Sequence, residues 1–172
     1  MNKRSKPSFG LVLSAAAGAK PIVTSSSDAK LERARKLGAA ATVNYRTNPD
    51  WQTRVREITG GAGVKQVLEV GGKDTLPKAL EALAFRGHVA LIGELSGGAD
   101  EIPVGPLFGA SGQISAVFVG SRADFEALNA FVAEHDVHPV IDRVFDFEQA
   151  PQAFEHMAHG DYMGKIVIRV HR

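Results

Sequence analysis

The sequence predicts an α/β fold, a doubly wound parallel sheet with helices on both faces. Short apolar runs such as IVT at 22–24 and HVALI at 88–92 alternate with amphipathic stretches of about ten residues, the pattern of βα units. Capping residues open several of those stretches and glycine closes several of them. The length of 172 residues, with 44% apolar and 23% charged side chains, suits a globular core.

Residues 1–8, MNKRSKPS, read as a loose basic tail. Leu11 to Ala17 is alanine-rich and ends at Gly18, which predicts a short helix. The stretch KPIVTSSSDAKLERARKLG at 20–38 organises the chain. It predicts a strand over 21–24, a polar turn of Thr24, Ser25, Ser26 and Ser27, and a helix over 28–37. Serine caps that helix, Asp28 sits in its first turn, Leu31, Ala34 and Leu37 share one face, and Gly38 stops it. Residues 41–44 (ATVN) predict a short strand. Asn48, Pro49 and Asp50 then supply a cap, a first-position proline and a first-turn acid for a helix that buries Trp51, Val55 and Ile58. It stops at Gly60-Gly61.

Residues 64–70 (VKQVLEV) predict the next strand, which runs into Gly71-Gly72. A helix follows over 75–85 with Leu76, Leu80 and Leu83 inward, then strands over 88–92 and 114–119 separated by the loop GELSGG. Ser121 and Asp124 open a helix carrying Phe125, Leu128, Phe131 and Val132. A strand over 140–144, a capping signal at Asp146 and Gln149, a helix with Ala150, Phe154 and Met157, and a strand over 165–170 complete the pattern.

Right-handed crossovers place the C-terminal ends of parallel strands on one edge, where ligands of open α/β sheets bind. The loops expected there are SSSD, GGKD, GELSGG and GSRA. Three carry glycine, which lets backbone approach a ligand closely, and the first carries hydroxyls with Lys30 five residues after Ser25. Taken alone, that first turn reads first as an ordinary serine-rich βα connection, and it is the rest of the chain that shifts the reading. The four loops together form a coherent binding rim.

Composition narrows the function. A net charge of +1, with acids and bases interspersed, gives no electrostatic footprint for nucleic acid. No run of 18 apolar residues is present to span a bilayer. The opening MNKRSKPSFGLVLSAAAGA has the order of a leader peptide, but Gly10 and Ser14 weaken its apolar run and it merges into the first βα unit. Without cysteine there are no disulfides, no thiol catalysis and no cysteine-bound zinc, and the expected compartment is the cytoplasm. His156 and His159 lie at i, i+3 and His135 is near His138, with no acid or cysteine evident to complete a metal set. No catalytic residue and no metal ligand is assigned. Asp161 and Tyr162 near the last strand do not make a mechanism.

Five blocks in order resemble one known family. They are IVTSSSDAKLERARKLGA, VLEVGG, GHVALIGELSG, VFVGSRADFEALN and VIDRVFDFEQAPQAFEHMAHGDYMGKIVI. Together they resemble the C-terminal half of the medium-chain dehydrogenase/reductase family, the zinc-type alcohol dehydrogenase and quinone oxidoreductase superfamily. The resemblance spans residues 9–170. It implies a Rossmann-like sheet that holds a nicotinamide dinucleotide. It places Ser25 and Ser26 at the adenosine ribose, where NAD-preferring members carry an acid at the Ser25 position, and Lys30 at the same ribose. Hydroxyls and a lysine favour a 2′-phosphate that a carboxylate would repel, so NADP is expected over NAD. The alternative for Lys30 is a solvated first-turn lysine. The same resemblance places Gly71 and Gly72 at the ribose-side turn, Ile92, Gly93, Ala116 and Phe118 on the nicotinamide side, and Lys165 near the pyrophosphate.

The sequence departs from that family in two respects. The glycine-rich phosphate turn and the strand before it are expected just ahead of Phe9, where MNKRSKPS stands, and Gly60-Gly61-Ala62-Gly63 precedes a strand instead of following one. Losing those amide donors should cost several charge-assisted hydrogen bonds at about 1.5–3 kcal/mol each; Lys3, Arg4 and Lys6 could offset part of it as point charges but are expected to be solvated instead. Nor is any stretch expected to match the family's N-terminal catalytic domain. The expected organisation is a tail over 1–8, a truncated dinucleotide-binding domain over 9–139, and a segment over 140–172 that in the family returns to the catalytic domain. Without its first strand the sheet either closes by direct pairing of the Ile22 and Val67 strands or borrows a strand from another chain. A homodimer is expected through the edge strand over 114–119.

Three functions follow. The first is the cofactor-binding part of an NADP-dependent oxidoreductase that moves a hydride to a carbonyl or activated alkene. The second is a catalytically silent nucleotide-binding or dimerisation module. The third is one half of a split enzyme.

Overall fold

A computed structural model describes residues 8–98 and 101–170 of the chain. The chain separates into two compact units, one formed by 22–122 and the other by the described residues before 22 together with those from 123 onward. Lys3, Arg4 and Lys6 lie outside the described residues.

The 22–122 unit holds five strands: β1 (Ile22–Ser25), β2 (Ala41–Asn44), β3 (Val64–Glu69), β4 (Leu83–Leu91) and β5 (Gln113–Ala116). Helices α2 (Asp28–Lys36), α3 (Trp51–Ile58), α4 (Leu76–Glu81) and α5 (Val104–Gly109) connect them. The other unit holds α1 (Ser8–Ala16), α6 (Arg122–Glu134, which starts at the boundary), β6 (Ile141–Asp146), α7 (Ala150–His159) and β7 (Lys165–Arg169). A single 3-10 turn, Phe147–Gln149, precedes α7. No helix among the described residues is long and apolar enough to cross a membrane.

Every strand pairing is parallel: β1 with β2, β3 with β4, β4 with β5, and β6 with β7. The α/β class is therefore as the sequence predicts, and most connections cross over through a helix. The local signals hold where a side chain enforces them. Ser27 caps α2 by accepting from the Lys30 amide. Gly38 follows the end of that helix with φ +99°. Asp146 and Gln149 form the reciprocal capping box.

Four local expectations give way. The helix expected over 75–85 ends at Glu81, and Leu83 instead opens β4 opposite Val64. Arg86 takes φ +56° and its amide bonds the Ala110 carbonyl, so β4 carries an irregularity before His88 pairs with Gln66. The strand expected over 114–119 stops at Ala116, because its partner β4 ends in register at Leu91 and the Val117 amide makes the last bond, to the Leu91 carbonyl at 2.8 Å. Asn48 does not cap α3. Its side chain donates to the Asn44 carbonyl, and Asp50 is the N-cap residue, without a side-chain cap bond.

Among the described residues β1 and β3 do not pair with each other, so the direct pairing of the Ile22 and Val67 strands offered as one expectation is not found. The two strands nevertheless begin on common ground. Ile22 and Val64 both pack against the cluster of Val43, Val55 and Ala82, beside Trp51. A second cluster of Leu76, Leu80, Leu83 and Val89, flanked by Val67, Leu107, Ala110 and Ile114, forms the core under β3–β5.

Candidate functional site

Ser25 and Glu69 are the C-terminal residues of β1 and β3, and both strands begin against the cluster of Val43, Val55 and Ala82. Register keeps the strand ends flush: Ser25 faces Asn44, Glu69 faces Leu91, and Leu91 faces Ala116. Most of the rim residues expected from sequence follow these ends directly.

At the end of β1 the turn is built by its own hydroxyls. The Ser25 Oγ accepts from the Ser27 amide at 3.3 Å, which leaves the Ser25 hydroxyl proton to be donated elsewhere. Ser26 sits between them, half-buried. Lys30 is half-buried in the first turn of α2, its amide held by Ser27. The acid of this turn, Asp28, accepts from the Asn44 Nδ2 at 2.7 Å. The Ser25 carbonyl accepts from the Tyr45 amide, and the Asn44 Oδ1 accepts from the Arg46 amide. These bonds bring Tyr45 and Arg46 beside the serine turn. Sequence reasoning missed both; the signal was available in their position immediately after the strand neighbouring β1.

Across the unit, β3 ends in a buried carboxylate. Glu69 is 4% exposed, and its Oε1 accepts from the Gly71 amide at 2.5 Å, the Gly72 amide at 3.1 Å and the Thr75 hydroxyl at 2.6 Å. Gly72 has φ +89°, and a β-carbon there would collide with the Gly97 carbonyl. The Glu69 carbonyl accepts from the Ile92 amide at 2.7 Å and more weakly from Gly93 at 3.3 Å. Ser96 closes the arrangement: its hydroxyl donates to the Gly71 carbonyl at 2.7 Å and accepts from the Asp74 amide at 3.1 Å. Gly71, Gly72, Ile92 and Gly93 thus form one hydrogen-bonded wall. Ala116 ends the adjacent strand, and Phe118 beyond it is 92% exposed.

Lys165 lies in the other unit. It is the first residue of β7, its amide bonds the Val140 carbonyl at 2.7 Å, and its ammonium stands 5.2 Å from the centre of the Phe9 ring. In the same unit Asp142 receives the His156 ring at 2.9 Å and the Met163 amide at 2.8 Å, an acid partner that the sequence separates from the histidine by 14 residues. His159 bonds the Glu155 carbonyl within its own helix. Among the described residues no three His, Cys, Asp or Glu side chains converge so as to hold a metal ion.

Residues 8–134 match the zinc-binding dehydrogenase family. The chain belongs to that family. It is 39% identical over 166 residues to a zinc-type alcohol dehydrogenase-like protein of Schizosaccharomyces pombe, covering 94% of this chain and 48% of that one. It is 38% identical over 165 residues to the 2-haloacrylate reductase of a Burkholderia species, covering 88% and 48%. A crystal structure of an NAD-dependent alcohol dehydrogenase superposes on 95% of this chain and 48% of its own with a TM-score of 0.84 and 31% identity. The chain thus spans about half the length of the curated relatives it matches, and corresponds to the C-terminal half of a medium-chain dehydrogenase with its Rossmann-type cofactor-binding fold. The zinc of the family's name finds no suitable donor set among the described residues.

Proposed function

We propose that this member of the zinc-binding dehydrogenase family is the cofactor-holding part of an oxidoreductase, and that it takes NADP in preference to NAD. The bound nicotinamide supplies the hydride chemistry; the chain's residues bind and orient it. The observation that carries this reading is the rim. Hydroxyls and Lys30 stand at the end of β1, while a glycine turn and small or apolar residues stand at the flush ends of β3, β4 and β5. In this reading Ser25, Ser26 and Lys30 meet the adenosine ribose and its 2′-phosphate. Gly71 and Gly72 meet the second ribose, and Ile92, Gly93, Ala116 and Phe118 border the nicotinamide. The hydroxyl-rich turn supports the choice of NADP, since Asp28, its nearest acid, is engaged by Asn44.

The reductase and dehydrogenase names of the relatives support a carbonyl or activated alkene as hydride acceptor of the whole protein. A homodimer through the β5 edge fits the exposure of Phe118 and of Val119, which is 88% accessible. Among the described residues β1 and β3 do not pair with each other, which supports the reading that the sheet takes a strand from another chain there.

Titration of the chain with NADPH and NADH, followed by nicotinamide fluorescence, tests the proposal. Saturable binding with NADPH the tighter ligand is expected. Absence of any signal with millimolar ligand would remove the cofactor assignment.

A further inference from the structure

Glu69 occupies a position that its chemistry makes costly. A carboxylate at 4% exposure loses most of its hydration, and it is tolerated only when donors replace the lost water. Here three donors meet on one oxygen, and they come from the turn that follows, not from neighbouring strands. The Gly71 and Gly72 amides converge on that one oxygen in a turn where Gly72 adopts a left-handed conformation.

The same residue also grips the neighbouring loop. Its carbonyl accepts from Ile92 and Gly93 at the end of β4, and Ser96 ties that loop back to the Gly71 carbonyl. One residue therefore bonds to four of the residues assigned above to the cofactor, two through its side chain and two through its backbone. The serine turn of β1 is held by local bonds made by Ser25, Ser27 and the end of β2.

We propose that Glu69 is a positioning residue for the nicotinamide-side half of the dinucleotide: its carboxylate fixes the Gly71–Gly72 turn against the loop 92–97 so that both present one rigid wall to the ribose. The inference rests on the cofactor reading given above. Glu69 does not touch the reacting atoms and donates no proton. Its contribution is to hold the wall in shape before the ligand arrives, which lowers the ordering cost of binding at that half alone.

The test compares two probes on the full chain by NMR titration of backbone amides, which reads binding into the millimolar range. NADPH reports both halves of the site, whereas 2′,5′-ADP reports the adenosine half only. In Glu69→Ala, NADPH affinity falls about tenfold or more, the scale of one or two charge-assisted hydrogen bonds, while 2′,5′-ADP affinity stays within about twofold. Amide exchange at Gly71 and Gly72 accelerates in the same variant. Glu69→Gln keeps an acceptor oxygen in place and restores most of the NADPH affinity. Equal weakening of both probes, or no weakening of either, overturns the proposal while the cofactor reading survives. A wild-type chain that responds to neither probe overturns the cofactor reading and this proposal with it. Should Glu69→Ala not fold, Thr75→Val removes one donor from the same oxygen and is read by the same pair of probes.

Discussion

Replacing Ser25 by aspartate and, separately, Lys30 by alanine interrogates the adenosine end of the site. Ser25 closes β1, and its Oγ is bound only at 3.3 Å by the Ser27 amide, so a carboxylate can be placed there without breaking a strong bond. Two unit charges ~5 Å apart at an effective dielectric constant near 20 repel by roughly 3 kcal/mol, and salt reduces this at an exposed rim. Ser25→Asp should therefore weaken NADPH by about 30- to 150-fold, corresponding to 2–3 kcal/mol. NADH should bind at least as well as before, because a carboxylate can accept from both ribose hydroxyls. Lys30→Ala removes one charge-assisted contact and should cost NADPH about 1.5–3 kcal/mol with little change for NADH. The assay is a fluorescence titration of each variant with both cofactors at two salt concentrations, the NADPH loss shrinking as salt rises. Equal losses for NADPH and NADH would refute the reasoning, since the 2′-phosphate is the only difference between the ligands.

Three further outcomes test the fold and its assembly. Leu80, 1% exposed at the centre of the β3–β5 core, should cost about 2–5 kcal/mol when changed to alanine, seen as a lower urea midpoint by fluorescence of the single tryptophan, Trp51. Arg56 ties the end of α3 to the Gly61 carbonyl at 2.7 Å and the Leu83 carbonyl at 2.9 Å. Arg56→Ala should cost about 2–3 kcal/mol by the same measurement, most of it from the half-buried Leu83 bond, because water replaces the exposed one; an unchanged midpoint would show these bonds to be idle. Val119→Asp on the exposed edge should reduce the sedimenting mass to that of a monomer at concentrations where the parent chain dimerises, without moving the urea midpoint.

Local chemistry was legible wherever a side chain and the backbone settle a conformation between themselves. Ser27 before Asp28, Gly38 after Leu37, and Asp146 with Gln149 each satisfy orphan amides or carbonyls within a few residues, so their signals survive folding. Leu83 shows where periodicity misleads. It continues the helical spacing of Leu76 and Leu80, yet it enters β4 because a pairing with Val64, nineteen positions earlier, is available to it. In the same way nothing in ISAVFV marks Ala116 as the last paired residue; the length of β4 decides that.

The sequence by itself determined the order of βα units, the caps of α2 and of the turn before α7, the lack of thiol and disulfide chemistry, and the residue types available at the strand ends. Only the tertiary structure decided which of those ends are flush, that β1 and β3 do not pair with each other among the described residues, that Tyr45 and Arg46 stand beside the serine turn, and that Glu69 is buried at the hinge of two loops. The reason is physical. Caps and turns are closed by contacts a few residues apart, whereas register, strand length and the burial of a carboxylate depend on partners the chain meets only after it has folded back on itself.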